Sequence, residues 1–356
     1  MIVLALFLST IAAAQTPSEA IALEQQGKFA EAASVWRAVT VKNPGDAGAF
    51  ASLGTVLSRQ QKYQEAATVY KKALALNPKL PGIQLNLGLA EFKQGRFEAA
   101  IGPFNKVLSS DSSNLQAQTL LGLSYYGARR YAEAIKHLEV ASNADPSNIE
   151  LHDVLAQSCL KSKQFDCAQE QFRQILQQNP DSFSAHMLLG QALDGLERTP
   201  EAIAEFQAAA RVGPREPNVH FGLGYLYWKS RQYDDAKKEF EAELALDPKH
   251  AQATAYLGDI ELKKSNPDGA LPFLIKATQF RDDVRIAYID LGIIYAQQKK
   301  YSDAVTALRR AVALEPQQSD AHYRLGNVYK AMGNTALAQQ EFAKVREIQN
   351  NPEKSP

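Results

Sequence analysis

The chain runs to 356 residues, beyond the size at which one compact core keeps growing, so it must divide into domains or extend by stacking repeated units. Its 39 Lys and Arg balance its 39 Asp and Glu, which removes the electrostatic footprint of a nucleic-acid or anionic-membrane binder. After residue 14 no apolar stretch is long enough to span a bilayer, so no membrane span is expected in the body of the protein.

Residues 1–14 carry an apolar run from Ile2 to Leu8 and end in Ala12-Ala13-Ala14, the layout of a signal-peptide core with a small-residue cleavage site. No Lys or Arg precedes the run, and a hydrophobic first helix is the competing reading. Cleavage after Ala14 would leave Gln15 first, with no cysteine there to carry a lipid, so the expectation is a soluble protein exported to the periplasm or secreted. Residues 15–46 then hold a partial unit marked by Gly27, Phe29, Ala32, Trp36 and Pro44.

Residues 47–80 are the first full unit. Phe50, Leu53, Gly54 and Leu57 fall at helical spacing and predict an amphipathic helix A. After the polar Arg59-Gln60-Gln61-Lys62, a second stripe of Tyr63, Ala66, Tyr70, Ala73 and Leu74 predicts helix B, stopped at Asn77-Pro78. The same pattern returns every 34 residues. Gly54 recurs as Gly88, Gly122, Ala156, Gly190, Gly224, Gly258, Gly292 and Gly326, and an alanine stands twelve residues after each, from Ala66 to Ala338. Glycine inside a helix costs about 0.5–1 kcal/mol relative to alanine. Its recurrence therefore asks for an offsetting contact, expected to be a close approach of helix B at the alanine.

Departures from the pattern are local. The aromatic residue that stands three before most of the alanines gives way to Thr199-Pro200, read as N-cap and first helical residue, and to Asn266-Pro267. Glu243 stands where helix B elsewhere has a small residue, and the loop at Pro267 with Pro272 beyond it is where the array should be least regular. Residues 351–356 are expected to be a flexible tail.

The unit resembles the tetratricopeptide repeat, with its Leu-Gly, aromatic, Ala and Pro positions spread over two helices. The resemblance covers about residues 15–350 as the partial unit and nine contiguous repeats (47–80, 81–114, 115–148, 149–182, 183–216, 217–250, 251–284, 285–318 and 319–350). It implies an all-α fold, a right-handed solenoid superhelix of about ten helix-turn-helix repeats. It also implies that the A helices line a concave groove, with the second, fifth, ninth, twelfth and thirteenth positions of each unit pointing into it. On those positions the candidate protein-binding residues are Leu85, Leu89, Phe92, Leu123, Tyr126, Phe221, Tyr225, Trp228, Ile289 and Ile293. An exposed apolar strip of that length would be unusual without a partner; packing between stacked helices is the competing use of the same side chains. The lysine and asparagine with which some relatives grip C-terminal carboxylates are replaced here by Ala51, Thr55, Leu85 and Leu89, so that function does not carry over.

Signals for chemistry are weak. No H-E-x-x-H motif, glycine-rich phosphate loop or G-x-S-x-G elbow occurs, and no catalytic residue, cofactor or metal is assigned. His152, His186, His220 and His322 occupy one slot of helix A, but successive helices stand about 8–10 Å apart, too far for all to reach one zinc. Cys159 and Cys167 face each other across one hairpin, resembling the cross-hairpin cystines of exported helical-repeat proteins; two small buried thiols are the alternative. The leading functional reading is a non-enzymatic scaffold that binds a peptide or helix of an envelope partner in the groove, with self-association left open. An accessory subunit that recruits an envelope enzyme or a polysaccharide-export or assembly machine is the second. An enzyme or sugar-binding array is the third and weakest.

Overall fold

The structure, a computed structural model, describes residues 15–350; the signal-peptide assignment at 1–14 and the tail at 351–356 lie outside the described residues. Twenty α-helices and no strand occur among the described residues. The chain divides into two compact units, the first ending at Gln178 and the second beginning at Asn179. Unit 1 contains α1 (Pro17–Gln25), α2 (Phe29–Lys42), α3 (Ala47–Arg59), α4 (Tyr63–Leu76), α5 (Ile83–Lys93), α6 (Phe97–Ser110), α7 (Leu115–Gly127), α8 (Tyr131–Ala144), α9 (Ile149–Lys161) and α10 (Phe165–Gln178). Unit 2 contains α11 (Phe183–Gly195), α12 (Thr199–Val212), α13 (Val219–Lys229), α14 (Tyr233–Leu246), α15 (Ala251–Lys263), α16 (Pro267–Phe280), α17 (Arg285–Gln297), α18 (Tyr301–Leu314), α19 (Ser319–Ala331) and α20 (Thr335–Asn350).

Odd-numbered helices are A helices and even-numbered ones B helices. Within each unit every A helix packs on its own B helix, and each B helix packs on the next A helix. Successive A helices also meet, as α13 meets α15, α15 meets α17 and α17 meets α19, while successive B helices approach one another less closely. Each unit is thus a stack in which a helix touches only its near neighbours, the packing logic of an α-solenoid.

The glycine comb makes the expected close approach at the alanine, at Gly190, Gly224 and Gly258, and a tighter contact besides. A Cβ on Gly54 would lie 2.4 Å from the Tyr70 ring, one on Gly88 2.5 Å from Phe104, and one on Gly292 2.5 Å from Leu308. The glycine therefore accommodates the large B-helix side chain sixteen residues later, and that side chain fills the space between the two helices. The alanine comb lies beside it: the Ala236 carbonyl oxygen would be 3.3 Å from a Cβ on Gly224. Phe104, Phe172 and Phe240 are fully buried at this position, each contributing about 1.5–3 kcal/mol of apolar burial.

A second comb is conformational. The A-to-B turn of every pair holds one residue in the left-handed region: Gly27, Gln61, Gly95, Arg129, Lys163, Glu197, Arg231, Ser265, Lys299 and Gly333. These positions also repeat every 34 residues, although only three are glycine. Each turn is closed by backbone bonds such as Lys62 N to Leu57 O at 2.9 Å, which satisfy the last carbonyls of helix A. The B helices then begin in register, and every B helix from α2 to α18 is 14 residues long.

Three local expectations change. Helix α12 starts at Thr199 with Arg198 at the N-cap, because the left-handed Glu197 closes the turn in the common register; Pro200 sits inside the first turn. Helix α16 is as regular as the others, since Asn266 caps it by accepting from Gly269 N at 3.0 Å and Pro272 lies on the exposed side. Helices α5 and α13 begin two residues into their units, after the left-handed Gly82 and Asn218. For α13 the missing side-chain cap is supplied by Glu243 of α14, whose carboxylate accepts from Asn218 N and Phe221 N, both at 3.0 Å. The departure at Glu243 is therefore a cap delivered from a neighbouring helix.

Candidate protein-binding groove

Five of the candidate residues lie on the A helices of unit 2, and the structure brings them together. Phe221 and Tyr225 of α13 line a mainly apolar depression of about 240 Å³ with Met187, Phe206 and Leu226. Tyr225 and Trp228 continue into a depression of about 460 Å³ that also takes in Ile289 and Ile293 of α17. Ile293 in turn belongs to a third depression of about 310 Å³, closed by Tyr301, Tyr323 and Val328. Tyr225 joins the first to the second, and Ile293 and Arg324 join the second to the third. The result is one furrow along the A helices of unit 2, apolar at both ends and polar in the middle.

The middle depression is walled by aromatic rings. Trp228 meets Tyr256 edge-on with centroids 4.9 Å apart, and Tyr225 stands 6.0 Å from Trp228 and 5.8 Å from Tyr256. The Trp228 indole N–H donates to Asp259 Oδ2 at 2.6 Å. Burial, with the nearby Tyr225 and Asp259, pushes the Tyr256 hydroxyl well above its ordinary pKa. Asp259 and Asp290 form the floor, 2% and 4% exposed. Burial, reinforced by Asp259, holds the Asp290 carboxyl well above the usual aspartate range. Arg285 is paired with Asp320 and with Glu315.

An exposed apolar strip is not what these side chains make. None of the ten candidates is fully exposed; nine are half-buried, and Ile289 is 7% exposed in a small core with Ala311 and Ala321. Stacking of successive A helices covers their flanks, so they form walls and floor of a furrow. In unit 1, Leu85, Leu89, Phe92, Leu123 and Tyr126 are half-buried along α5 and α7. Phe92 packs edge-on to Phe97 at 5.4 Å and Tyr126 to Tyr131 at 5.8 Å, while the Tyr126 hydroxyl donates to Gln157 Oε1 at 2.7 Å.

The four histidines of the A-helix slot are tied into their own repeats. Nδ1 of His186, His220 and His322 faces a glutamate of the following B helix at 2.6–2.7 Å, and Nδ1 of His152 faces Gln171 Oε1 at 2.7 Å. Each Nε2 faces the carbonyl of the proline six residues earlier at 2.9–3.2 Å. Both nitrogens are thus engaged in linking helix A, helix B and the loop before them. The sulfurs of Cys159 and Cys167 are bonded across the α9–α10 hairpin, with Cα atoms 5.8 Å apart, within the separation a cystine needs.

Several furrow residues escaped the sequence reading for an identifiable reason. Gln252, Asp259, Lys263, Asp320 and Tyr323 occupy groove positions by register, but their polar groups give no apolar signal there. Tyr256, Asp290 and Arg324 all sit at the sixth position of their units, one residue beyond the positions the resemblance supplies.

Comparison with known proteins agrees with the repeat reading. Models described as tetratricopeptide repeat match residues 85–149, 154–217 and 221–283, and 319–352. A further TPR repeat model matches 57–95 and 292–333. Among curated proteins, the type IV pilus assembly protein PilF of Pseudomonas aeruginosa is 36% identical over 70 residues, which is 20% of this chain and 28% of that protein. The chain thus matches little more than a quarter of the length of that relative. Among solved structures, MamA MSR-1 C2 is similar with a TM-score of 0.42 at 27% identity, over 46% of this chain and 95% of that one. Yeast Tom70 is similar with a TM-score of 0.46 at 14% identity, over 93% of this chain and 91% of that one.

Proposed function

Since the chain belongs to the tetratricopeptide repeat family, we propose that it is a non-enzymatic scaffold whose unit 2 holds a peptide or helix of another protein along α11, α13, α15, α17 and α19. The observation that carries this reading is the continuity of the furrow: three depressions share Tyr225, Ile293 and Arg324 and run along one set of helices. Its ends offer apolar surface and its middle offers a few convergent polar groups, the composition of a recognition surface. Phe221, Tyr225 and Trp228 are the central anchors, since buried aromatics carry a large share of binding energy at such sites.

The partner belongs to the cell envelope. This placement rests on the apolar segment at 1–14 and on the cystine-forming geometry of Cys159 and Cys167. No described helix is long and apolar enough to cross a membrane. A second reading, an accessory subunit that recruits an envelope assembly machine, is favoured by the 70-residue match to a pilus assembly protein.

Photo-crosslinking side chains placed singly at Tyr225 and Ile293 in the furrow, and at the exposed Val212 and Ile275 on B helices, test the assignment in envelope extracts. One partner captured from both furrow positions, with Trp228→Ala weakening its binding at least tenfold, is the expected result. Crosslinks to that partner from Val212 or Ile275 alone would overturn it.

A further inference from the structure

The middle of the furrow contains a buried acidic pair without sufficient compensation. Asp259 accepts from Trp228 Nε1 at 2.6 Å and stands 3.7 Å from Lys263 Nζ. Asp290 Oδ2 has no hydrogen-bond partner, although the side chain is 4% exposed and lines the depression. Two carboxyls held together away from water are unfavourable unless a cation or a shared proton offsets them. The nearby Lys263 and Arg324 both pull the Asp290 carboxyl toward ionisation, yet burial and Asp259 outweigh them. Arg285 is already committed to Asp320 and Glu315. Across the whole depression four carboxylates, Asp259, Asp290, Glu315 and Asp320, face three cations, Lys263, Arg285 and Arg324, while the fifth lining carboxylate, Asp283, is held by Arg281.

Resting on the groove reading above, we propose that this depression receives the cationic side chain, arginine above lysine, of a bound partner segment whose apolar residues fill the depressions on either side. The walls suit it: Tyr225, Trp228 and Tyr256 pack on one another with centroids 4.9–6.0 Å apart and together line the depression, and a desolvated cation is attracted to such an aromatic wall. A guanidinium is planar, can lie against such a ring and can donate to two carboxylates at once, which a compact ammonium does less well. It would supply the donor that Asp290 Oδ2 lacks. An acidic side chain in the same place would meet the buried carboxylate of Asp259 at like charge. The flanking depressions, lined by Met187, Phe206 and Leu226 on one side and Ile293 and Val328 on the other, fix where the apolar neighbours go.

A display library of random nonapeptides selected on the full chain, with binders retained only if Trp228→Ala abolishes capture, provides the test. The retained peptides are expected to carry Arg or Lys at one position between apolar residues. Replacing that arginine by citrulline, which keeps the shape and removes the charge, should weaken binding at least tenfold. The difference should shrink to within twofold on an Asp259→Asn/Asp290→Asn variant whose melting temperature stays near wild type. If that variant fails to fold, the citrulline comparison on the wild-type chain decides alone. Retained peptides that lack a basic residue, or tolerate citrulline, overturn the cation inference and leave the groove reading standing. A library with no Trp228-dependent binder overturns both.

Discussion

At the scale of single residues, burial separates groups the sequence presents as equals. Asp259 and Asp290 read as ordinary polar positions on amphipathic helices, and nothing local marks them as the floor of a furrow; their proximity depends on how α15 stacks on α17. Ile289 was legible as apolar but not as core, because its cover comes from Ala311 and Ala321 on α18 and α19. The raised Asp290 carboxyl has a consequence for stability. The folded chain holds that proton more tightly than the unfolded one, so stability falls as pH rises from the usual aspartate range through the pKa of Asp290. Asp290→Asn removes the dependence. Relative to wild type, the variant should melt at a higher temperature near about pH 7 and at nearly the same temperature near about pH 4. Thermal melts of both proteins at the two pH values check this, and a variant less stable at about pH 7 would contradict it.

At the scale of helices, apolar periodicity and proline placement made the helix pairs legible, while the turns between them were not. Glycine marks the left-handed turn position only at Gly27, Gly95 and Gly333; elsewhere Gln, Arg, Lys, Glu and Ser adopt it because the helix-ending backbone bonds require it. Composition alone cannot signal a conformation imposed by hydrogen bonds on residues that ordinarily avoid it. The strain is measurable. Lys299 is exposed with φ of 60°, so Lys299→Gly should stabilise unit 2 by about 0.5–1 kcal/mol, read as a higher denaturant midpoint with an unchanged slope. Gly224→Ala should act in the opposite direction, because its Cβ would lie 2.8 Å from the Phe240 ring. The glycine comb was visible in the sequence, but its contact sixteen residues on was not, because Tyr, Phe and Leu alternate there and hide the period.

At the scale of the whole molecule, zero net charge speaks against long-range attraction to polyanions, and the proposed recognition rests instead on local groups in the furrow. The proposed export makes the chemical state of the two cysteines a property of the compartment in which the protein folds. Protein purified from its native envelope without reductant should show no free thiol by mass mapping and an N-terminus at Gln15. Two free thiols together with a retained Met1 would place the chain in a reducing compartment and remove the envelope assignment.

The unbroken register also bears on how such a protein can change its partner. The left-handed turn residues and Gly224 and Gly258, which set spacing, are distinct from those that face the middle of the furrow, whereas Phe206, Gly292 and Leu308 serve both the ends of it and the packing of their own helix pairs. On the proposed function, substitution at Tyr225 or Ile293 alters what the furrow takes while the turns keep the register. On that proposal, specificity is an editable layer written on a nearly invariant frame.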